Sequence, residues 1–362
     1  MSLRTRILPA RAPLGAALLI GAGAALILSA CLDDTVREQA LHDGPVEPGE
    51  REWLPVDWDT VWAVGGADDE LLHDPEYLRP HEDGLIVWDH GRHQVLAFDD
   101  GGELLWRFGQ EGEGPDEFQQ VMDLQVGSHG QTFVYDAANQ RVTILSPEGS
   151  VDRRVGLADV PQSGTLAVPG DTLLAFVPYS SPEDPLRVLD LEGEEVLRGD
   201  FPWDGFADLT AISRQGRAHS LGDRWVYAFL LTNGWFGFEG VEPVEFIGGY
   251  VEHQDLPNVA QQTDGNERTQ RLTERPRCTA CSLSIADSLL AIHFGGHEDR
   301  AYRTLDLHQW DDGTYLGSWE LPMNAGEAMV SGDRVYTLHT DPFPVISAFR
   351  MYASAEGEAE EG

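Results

Sequence analysis

The stretch Gly84-Leu-Ile-Val-Trp-Asp89 recurs as Gly130-Gln-Thr-Phe-Val-Tyr-Asp136, and the likeness continues to Arg107 in the first unit and Arg154 in the second. In each unit a strand of alternating apolar residues is followed by a polar turn, a second strand, a glycine-containing turn and a third strand. The aspartates that open the polar turns are expected to accept hydrogen bonds from backbone N–H groups. Repeated antiparallel hairpins without intervening helices indicate the blades of a β-propeller.

The segment that joins the two units is Gly109-Gln-Glu-Gly-Glu-Gly-Pro-Asp-Glu-Phe118. With a valine six positions after the aspartate in each unit (Asp89 to Val95, Asp136 to Val142), it resembles the NHL-repeat proteins of the six-bladed propeller superfamily, whose blades are often joined by Gly-x-Gly-Pro-Gly-Glu-Phe. Asp116 stands in place of the third glycine, and the close match covers residues 80–157 only. The resemblance implies an all-β fold: a six-bladed β-propeller of four-stranded antiparallel blades.

Four more degenerate units complete the predicted ring. They are placed at residues 159–202, 203–250, 276–321 and 322–352. The last unit is short of an outer strand, whereas Asp59-Thr-Val-Trp-Ala-Val-Gly65 is a strand without a blade of its own. This N-terminal strand is therefore predicted to close the ring by pairing Val61 and Val64 with the strand around Val345 to Arg350, which leaves no exposed edge.

Residues 1–30 have the layout of a lipoprotein signal peptide. Three arginines precede an apolar run, Leu14 to Leu28, that is short for a membrane span. The run ends in Leu-Ser-Ala-Cys31, which is similar to the bacterial lipobox and implies cleavage before Cys31 and a stable lipid anchor on its sulfur. The alternative is an ordinary secretory peptide with a chance cysteine. Leu32, in place of an aspartate, favours the outer membrane over the inner membrane.

The folded domain is predicted to span residues 51–354, between an acidic tether at 31–50 and a disordered acidic tail at 355–362. Loss of the three signal-peptide arginines changes the formal charge from −38 to −41, and the chain has no lysine. This field repels phosphate, so nucleic acid is excluded as a partner. The expected partners are the membrane, through the anchor, and a protein or glycan of the cell envelope. A saline habitat and a GC-rich genome both account for the missing lysine.

Cys278-Thr-Ala-Cys281 is followed by His293 and His297, a spacing close to that of zinc fingers. A finger needs a helix for its histidines, however, and His293 lies in an alternating strand pattern. Once Cys31 carries lipid, the other two cysteines form a pair in an oxidising compartment, so a local disulfide is favoured. A metal site and free or redox-active thiols are the alternatives.

A polar stretch from Glu252 to Arg275 fits no strand pattern. This insertion, at about residues 252–275, is expected to be either a lid or partner-binding loop over one propeller face, or disordered. Just upstream, Trp235-Phe-Gly-Phe238 is a candidate exposed aromatic cluster.

The favoured function is a non-catalytic binding or scaffolding propeller at the envelope, with an unidentified ligand and no cofactor. The alternative is a metal-assisted hydrolase or lyase, lactonase-like, with calcium or zinc and a site at the central channel. The sequence contains no nucleophile elbow, zinc-protease motif or phosphate-binding loop. Channel sites gather one residue from each blade, so His81, His219 and Asp208 cannot be placed from the sequence and no catalytic residue is assigned.

Overall fold

A computed structural model of the chain describes residues 51–353 apart from 82–83, 159, 161, 182, 184, 233, 249–258, 265–266, 273–276 and 297–299. The predicted signal peptide, Cys31, the tether, the acidic tail and His297 lie outside the described residues. Within the described part no helix is long and apolar enough to cross a membrane.

The described residues form six antiparallel sheets of four strands, besides one two-stranded hairpin, which confirms the predicted six-bladed propeller. Blade 1 consists of β2 (Pro75–His81), β3 (Gly84–Asp89), β4 (Gln94–Asp99) and β5 (Leu104–Phe108). Blade 2 consists of β6 (Val121–Val126), β7 (Thr132–Asp136), β8 (Arg141–Leu145) and β9 (Val151–Gly156). Blade 3 consists of β10 (Gly164–Ala167), β11 (Leu173–Pro178), β12 (Leu186–Asp190) and β13 (Glu195–Gly199).

The second half of the chain supplies the other three sheets. Blade 4 consists of β14 (Gly216–Leu221), β15 (Arg224–Phe229), β16 (Trp235–Glu239) and β17 (Glu242–Gly248). Blade 5 consists of β20 (Ser282–Ala286), β21 (Leu289–Phe294), β22 (Thr304–Gln309) and β23 (Tyr315–Glu320). Blade 6 consists of β24 (Glu327–Ser331), β25 (Arg334–His339), β26 (Val345–Ala353) and, as its outer strand, β1 (Val56–Gly65). Short 3-10 helices lie in connections of the described chain, among them His90–Arg92, Pro169–Asp171 and Asp204–Phe206.

The N-terminal strand closes the ring as predicted. β1 pairs antiparallel with β26, and Val64 lies opposite Ile346. Val61 is an exception, because the register shifts between Thr60 and Trp62 and leaves Val61 without an opposing residue. A bulge at this position adds local twist to the outer strand.

Burial changes from the inner to the outer strands of each blade. Every residue of β3 is buried, whereas the outer strand β5 alternates between exposed and partly buried positions. An inner strand is covered on both faces by the neighbouring blades, so it carries a continuous apolar run rather than an alternating pattern. For example, Trp88 on β3 packs edge-to-face against Phe118 at a centroid distance of 5.5 Å.

The aspartates of the two quoted repeats accept equivalent backbone hydrogen bonds, as predicted, although the main donors lie in the segment before the inner strand rather than in the turn that each aspartate opens. The Asp89 carboxylate accepts hydrogen bonds from the backbone N–H groups of His73 and Asp74, at 2.8 and 3.0 Å. Asp136 accepts from the N–H groups of Gln119 and Gln120, both at 3.0 Å. Each carboxylate thus fixes the chain segment that leads into the inner strand of its own blade.

The expectation of an exposed aromatic cluster at Trp235–Phe238 is wrong. Trp235, Phe236 and Phe238 on β16 are fully buried. Successive side chains on a strand point to opposite faces, and in a propeller both faces meet a neighbouring blade. The ring centroid of Phe236 lies 4.5 Å from that of Phe201, which follows blade 3. The ring centroid of Trp235 lies 5.7 Å from that of His308 in blade 5.

The expectation that no strand lies in the polar insertion is also wrong. β18 (Val259–Asp264) and β19 (Glu267–Leu272) form a two-stranded antiparallel hairpin, with Val259 opposite Leu272. Its strands are polar at nearly every position, so the hydrophobic alternation by which a strand is recognised is absent. The rest of the insertion lies outside the described residues.

Candidate functional site

The central channel is lined by the innermost strand of each blade: β2, β6, β10, β14, β20 and β24. Each of these strands pairs with a sheet neighbour on one side only. Its other edge therefore presents unpaired backbone N–H and C=O groups, which are costly to bury without partners. Polar side chains in the channel wall are therefore expected to form hydrogen bonds with these backbone groups.

Side-chain acceptors from one blade bind backbone N–H groups of the next. The Glu327 carboxylate on β24 accepts from Tyr77 and Leu78 on β2, at 3.2 and 2.9 Å. Hydrogen bonds of the same kind link four further junctions, those between blades 2 and 3, 3 and 4, 4 and 5, and 5 and 6. They run from Leu166 N–H to Asp123 at 3.0 Å, Val168 N–H to Ser220 Oγ at 2.9 Å, Ile285 N–H to His219 Nδ1 at 3.2 Å and Ala328 N–H to Ser282 Oγ at 2.8 Å.

A buried ion pair completes this ring between blades 1 and 2. The Arg79 Nη2 atom lies 2.8 Å from Asp123 Oδ1, and both side chains are almost fully buried. Asp123 also accepts from the hydroxyl of Thr165 and from the N–H group of Leu124 at 2.7 Å. Its carboxylate is thus saturated by the protein itself, as a buried charge requires.

A cavity of about 770 Å³ opens where the inner strands end. Blades 1, 2, 4, 5 and 6 supply its wall through the ends of their inner strands and the turns that follow. The lining residues that carry polar side chains are Arg79, His81, Asp100, Ser128, His129, His219, Ser220, Asp287, Ser331, Asp333, Arg334 and Tyr336. This space is the channel mouth and is called the mouth cavity below.

The charged groups of the mouth cavity are largely paired. Arg334 contacts the Asp100 carboxylate at 3.1 Å, and Asp333 contacts Arg350 at 3.0 Å. At the rim, the exposed His129 lies 3.0 Å from Asp171. The wall therefore offers hydroxyls, imidazoles and ion-paired charges, together with the carboxylate of Asp287.

Of the three residues that the sequence could not place, two lie at this mouth. His81 and His219 line the cavity, whereas Asp208 is exposed in the turn after the third 3-10 helix. Burial, together with the positive charge of Arg79, lowers the pKa of His219 to about 3. His219 is therefore neutral at physiological pH, and its Nδ1 atom accepts the Ile285 N–H group.

Three channel residues were not predicted from the sequence: Arg79, Asp123 and Glu327. Asp123 and Glu327 each stand singly among mostly apolar residues, Arg79 is followed by the polar stretch at 81–83, and no known motif surrounds any of the three. The one available signal is a charged residue inside a buried strand, which favours a paired or functional role.

The structure does not bring the cysteines and His293 of the predicted cluster together into one site. The Cα atoms of Cys278 and Cys281 are 5.0 Å apart and their sulfur atoms are at bonding distance. His293 is fully buried on β21, where its Nε2 atom lies 3.3 Å from the carbonyl oxygen of Tyr302. Burial lowers the pKa of His293 to about 4. Among the described residues, no three His, Cys, Asp or Glu side chains are grouped closely enough to hold a metal ion.

Comparison with known proteins bears on the fold. No curated protein sequence matches the chain. A Bacteroides fragilis protein whose name describes it as exported superposes with a TM-score of 0.54 at 9% identity, over 82% of this chain and 95% of that one. Streptogramin B lyase (14% identity, 84% of this chain, 100% of that one) and virginiamycin B lyase from Staphylococcus aureus (10%, 82% and 100%) each have a TM-score of 0.48.

At these identities the structural likeness concerns the fold alone. Residues 65–238 match the sequence model of the DUF5128 family, which is described as a 6-bladed beta-propeller. That match covers blades 1 to 3 and most of blade 4, and the observed sheets continue the same architecture through blades 5 and 6. The chain is therefore a six-bladed β-propeller closed by its own N-terminal strand.

Proposed function

We propose that this chain is a lipid-anchored, extracytoplasmic, NHL-like propeller that binds a neutral, hydroxyl-rich ligand, such as a glycan, in the mouth cavity. One observation carries the proposal: a polar cavity of about 770 Å³ in which both lining arginines, Arg79 and Arg334, are held in ion pairs with carboxylates of the protein. This volume is in the range of small-molecule sites, about 300–1,000 Å³. No cofactor takes part in the proposed binding.

The chemistry of the cavity wall supports a neutral ligand. Arg334 and Asp333 are engaged in ion pairs, so a charged ligand would have to compete with groups already in place. Ser220, Ser331 and His219 add hydrogen-bonding groups without net charge. A sugar presents alternating donors and acceptors to such a wall.

The pKa and the hydrogen bonds of the titratable channel residues support binding rather than hydrolase or lyase chemistry. A general base works best when its pKa lies near the working pH, and the pKa of His219 is several units below neutrality. Asp123 and Glu327, two carboxylates on the inner strands β6 and β24, are both occupied by backbone N–H groups. Through these hydrogen bonds the two carboxylates hold neighbouring blades together.

A ligand-detected NMR experiment tests the binding proposal. We expect saturation transfer from the full-length protein to members of a panel of neutral oligosaccharides, which are recovered unchanged. Ser331→Trp fills the cavity and should abolish the transfer. Val196→Trp, on the exposed outer strand β13, is the matched control and should not. Equal transfer to both variants, or conversion of the sugar, would overturn the proposal.

The anchor has its own test. Cys31→Ser should move the protein from the membrane fraction to the soluble fraction, because the sulfur that carries the lipid is lost. Cys281→Ser removes a different thiol and should leave the protein in the membrane fraction. Separation of outer from inner membranes then tests the outer-membrane location indicated by Leu32.

A further inference from the structure

Arg217 lies at the end of the channel opposite the mouth cavity. It is the second residue of β14, whereas His219 and Leu221 of the same strand line the mouth cavity. Its neighbours around a small second cavity, of about 10 Å³, include Tyr77 and Glu327, which stand near or at the start of their own inner strands. The guanidinium carbon of Arg217 sits 5.2 Å from the centre of the Tyr77 ring.

The guanidinium of Arg217 is short of hydrogen-bond acceptors. It donates no hydrogen bond to any described residue, and its buried Nε atom has no partner there. Arg79, which lines the same cavity, is by contrast ion-paired with Asp123. An arginine has five N–H donors, and leaving them unmet away from bulk water is costly.

The nearby carboxylates do not meet this need. Glu327 is committed to the backbone N–H groups of Tyr77 and Leu78. Glu76 lies close enough to interact with Arg217 electrostatically, but no hydrogen bond joins them, and burial raises the pKa of its carboxyl group. Burial also raises the pKa of Tyr77 to about 12, so its phenol keeps its proton at physiological pH.

We propose that Arg217, flanked by Tyr77, is the anchor of an anion site that takes a single carboxylate group at this end of the channel. The planar guanidinium fork matches the two oxygens of a carboxylate, and an aromatic face beside it is a common setting for such recognition. A cavity of about 10 Å³ has room for about one water-sized atom, so one carboxylate oxygen enters it while the rest of the ligand stays outside.

Phosphate is disfavoured at the same position. A phosphoryl group has three terminal oxygens and is larger than the cavity. It also carries close to two negative charges, so Glu76 and Glu327 would repel it more strongly than they repel a carboxylate with a single charge. The site is distinct from the mouth cavity and stands whether or not a glycan binds there.

Formate, the smallest carboxylate, is the probe. NMR line broadening of isotopically labelled formate by the full-length protein should saturate. We expect at least about tenfold weaker binding for Arg217→Lys, which keeps the charge but loses the fork, and no specific broadening for Arg217→Gln. Arg107→Gln removes the same charge from an exposed position on β5 and should behave like the parent protein.

Inorganic phosphate at the same concentration should not displace the formate. Displacement by phosphate, unchanged broadening in Arg217→Gln, or no broadening with the parent protein would each overturn the proposal. Circular dichroism checks that the variants fold. If Arg217→Gln does not fold, the test rests on Arg217→Lys. Formate affinity of this variant equal to that of the parent protein would contradict the role of the guanidinium fork.

Discussion

Arg51 and Asp306 form a two-pronged ion pair across 255 residues of sequence, with Nε and Nη2 of Arg51 each 2.9 Å from a carboxylate oxygen. Both side chains are nearly buried, at 7% and 4% exposure. Two residues after Arg51, Trp53 forms an isolated parallel β-bridge with Ser318 on the outer strand of blade 5. The chain is thus fixed to blade 5 before it forms the closing strand of blade 6.

Removing one partner of this ion pair should destabilise the protein strongly. Arg51→Met leaves the Asp306 carboxylate buried without its cation, which costs about 3–5 kcal/mol. The measurement is the free energy of unfolding from urea denaturation. Arg153→Met is the matched control, because it breaks an ion pair with Glu192 in which both side chains are exposed and should cost less than about 1 kcal/mol. Equal losses in the two variants would contradict a structural role for Arg51.

The closing strand should depend on Trp62 far more than on its neighbour. Trp62 donates to the carbonyl oxygen of Asp100 at 2.9 Å and packs between Phe98 of blade 1 and Tyr336 of blade 6. Trp62→Ala should lower the free energy of unfolding by about 3–5 kcal/mol through the cavity it leaves. Val61→Ala, at the exposed bulge, should change it by less than about 0.5 kcal/mol. A large effect of Val61→Ala would show that the bulge itself maintains closure.

The sequence was informative where one local pattern repeats. Asp89 and Asp136 stand in equivalent turns because each has the same task beside its own strands, so alignment of two units reveals both. The closing strand was predictable for a related reason, since a strand without a blade and a blade without an outer strand imply each other. Val61 could not be foreseen as a bulge, because bulge geometry depends on the twist of the assembled blade.

The channel residues could not be predicted, because their roles arise between blades. Asp123 binds Arg79 of blade 1 and Leu166 of blade 3, so its partners are 44 residues before it and 43 after it. The residues next to Asp123 in the sequence do not indicate these partners. The burial of Trp235 could not be predicted for a similar reason, because the side chain that packs against it comes from blade 5 and not from residues nearby in sequence.

The thiol state of the cysteine pair stays a prediction with a direct measurement. In a Cys31→Ala chain, a thiol reagent should detect no free thiol under denaturing conditions, and two after reduction. Replacing both Cys278 and Cys281 with serine should cost about 2 kcal/mol or less, because the closed loop is short and the constraint on the unfolded chain is small. Two free thiols before reduction would refute the disulfide. Zinc that then co-purifies near one equivalent would support the metal alternative.

Buried neutral histidines should make the propeller sensitive to acid. Burial lowers the pKa of His219 from 6.5 to about 3 and that of His293 to about 4. Such a histidine binds fewer protons in the folded state than in the unfolded state, so protonation of the unfolded chain favours unfolding as the pH falls below about 6.5. Each histidine should remove about 1.4 kcal/mol of stability per pH unit, down to about pH 3 for His219 and pH 4 for His293.

Urea denaturation at several pH values between 7 and 4 measures this slope, and His219→Asn isolates one contribution to it. The asparagine side-chain oxygen can accept the Ile285 N–H group in place of Nδ1, but it does not titrate. The variant should therefore lose stability more slowly with falling pH, by about 1.4 kcal/mol per unit. Val226→Ala, opposite His219 on β15, should lower stability equally at every pH. An unchanged slope in His219→Asn would show that His219 does not contribute to the acid sensitivity.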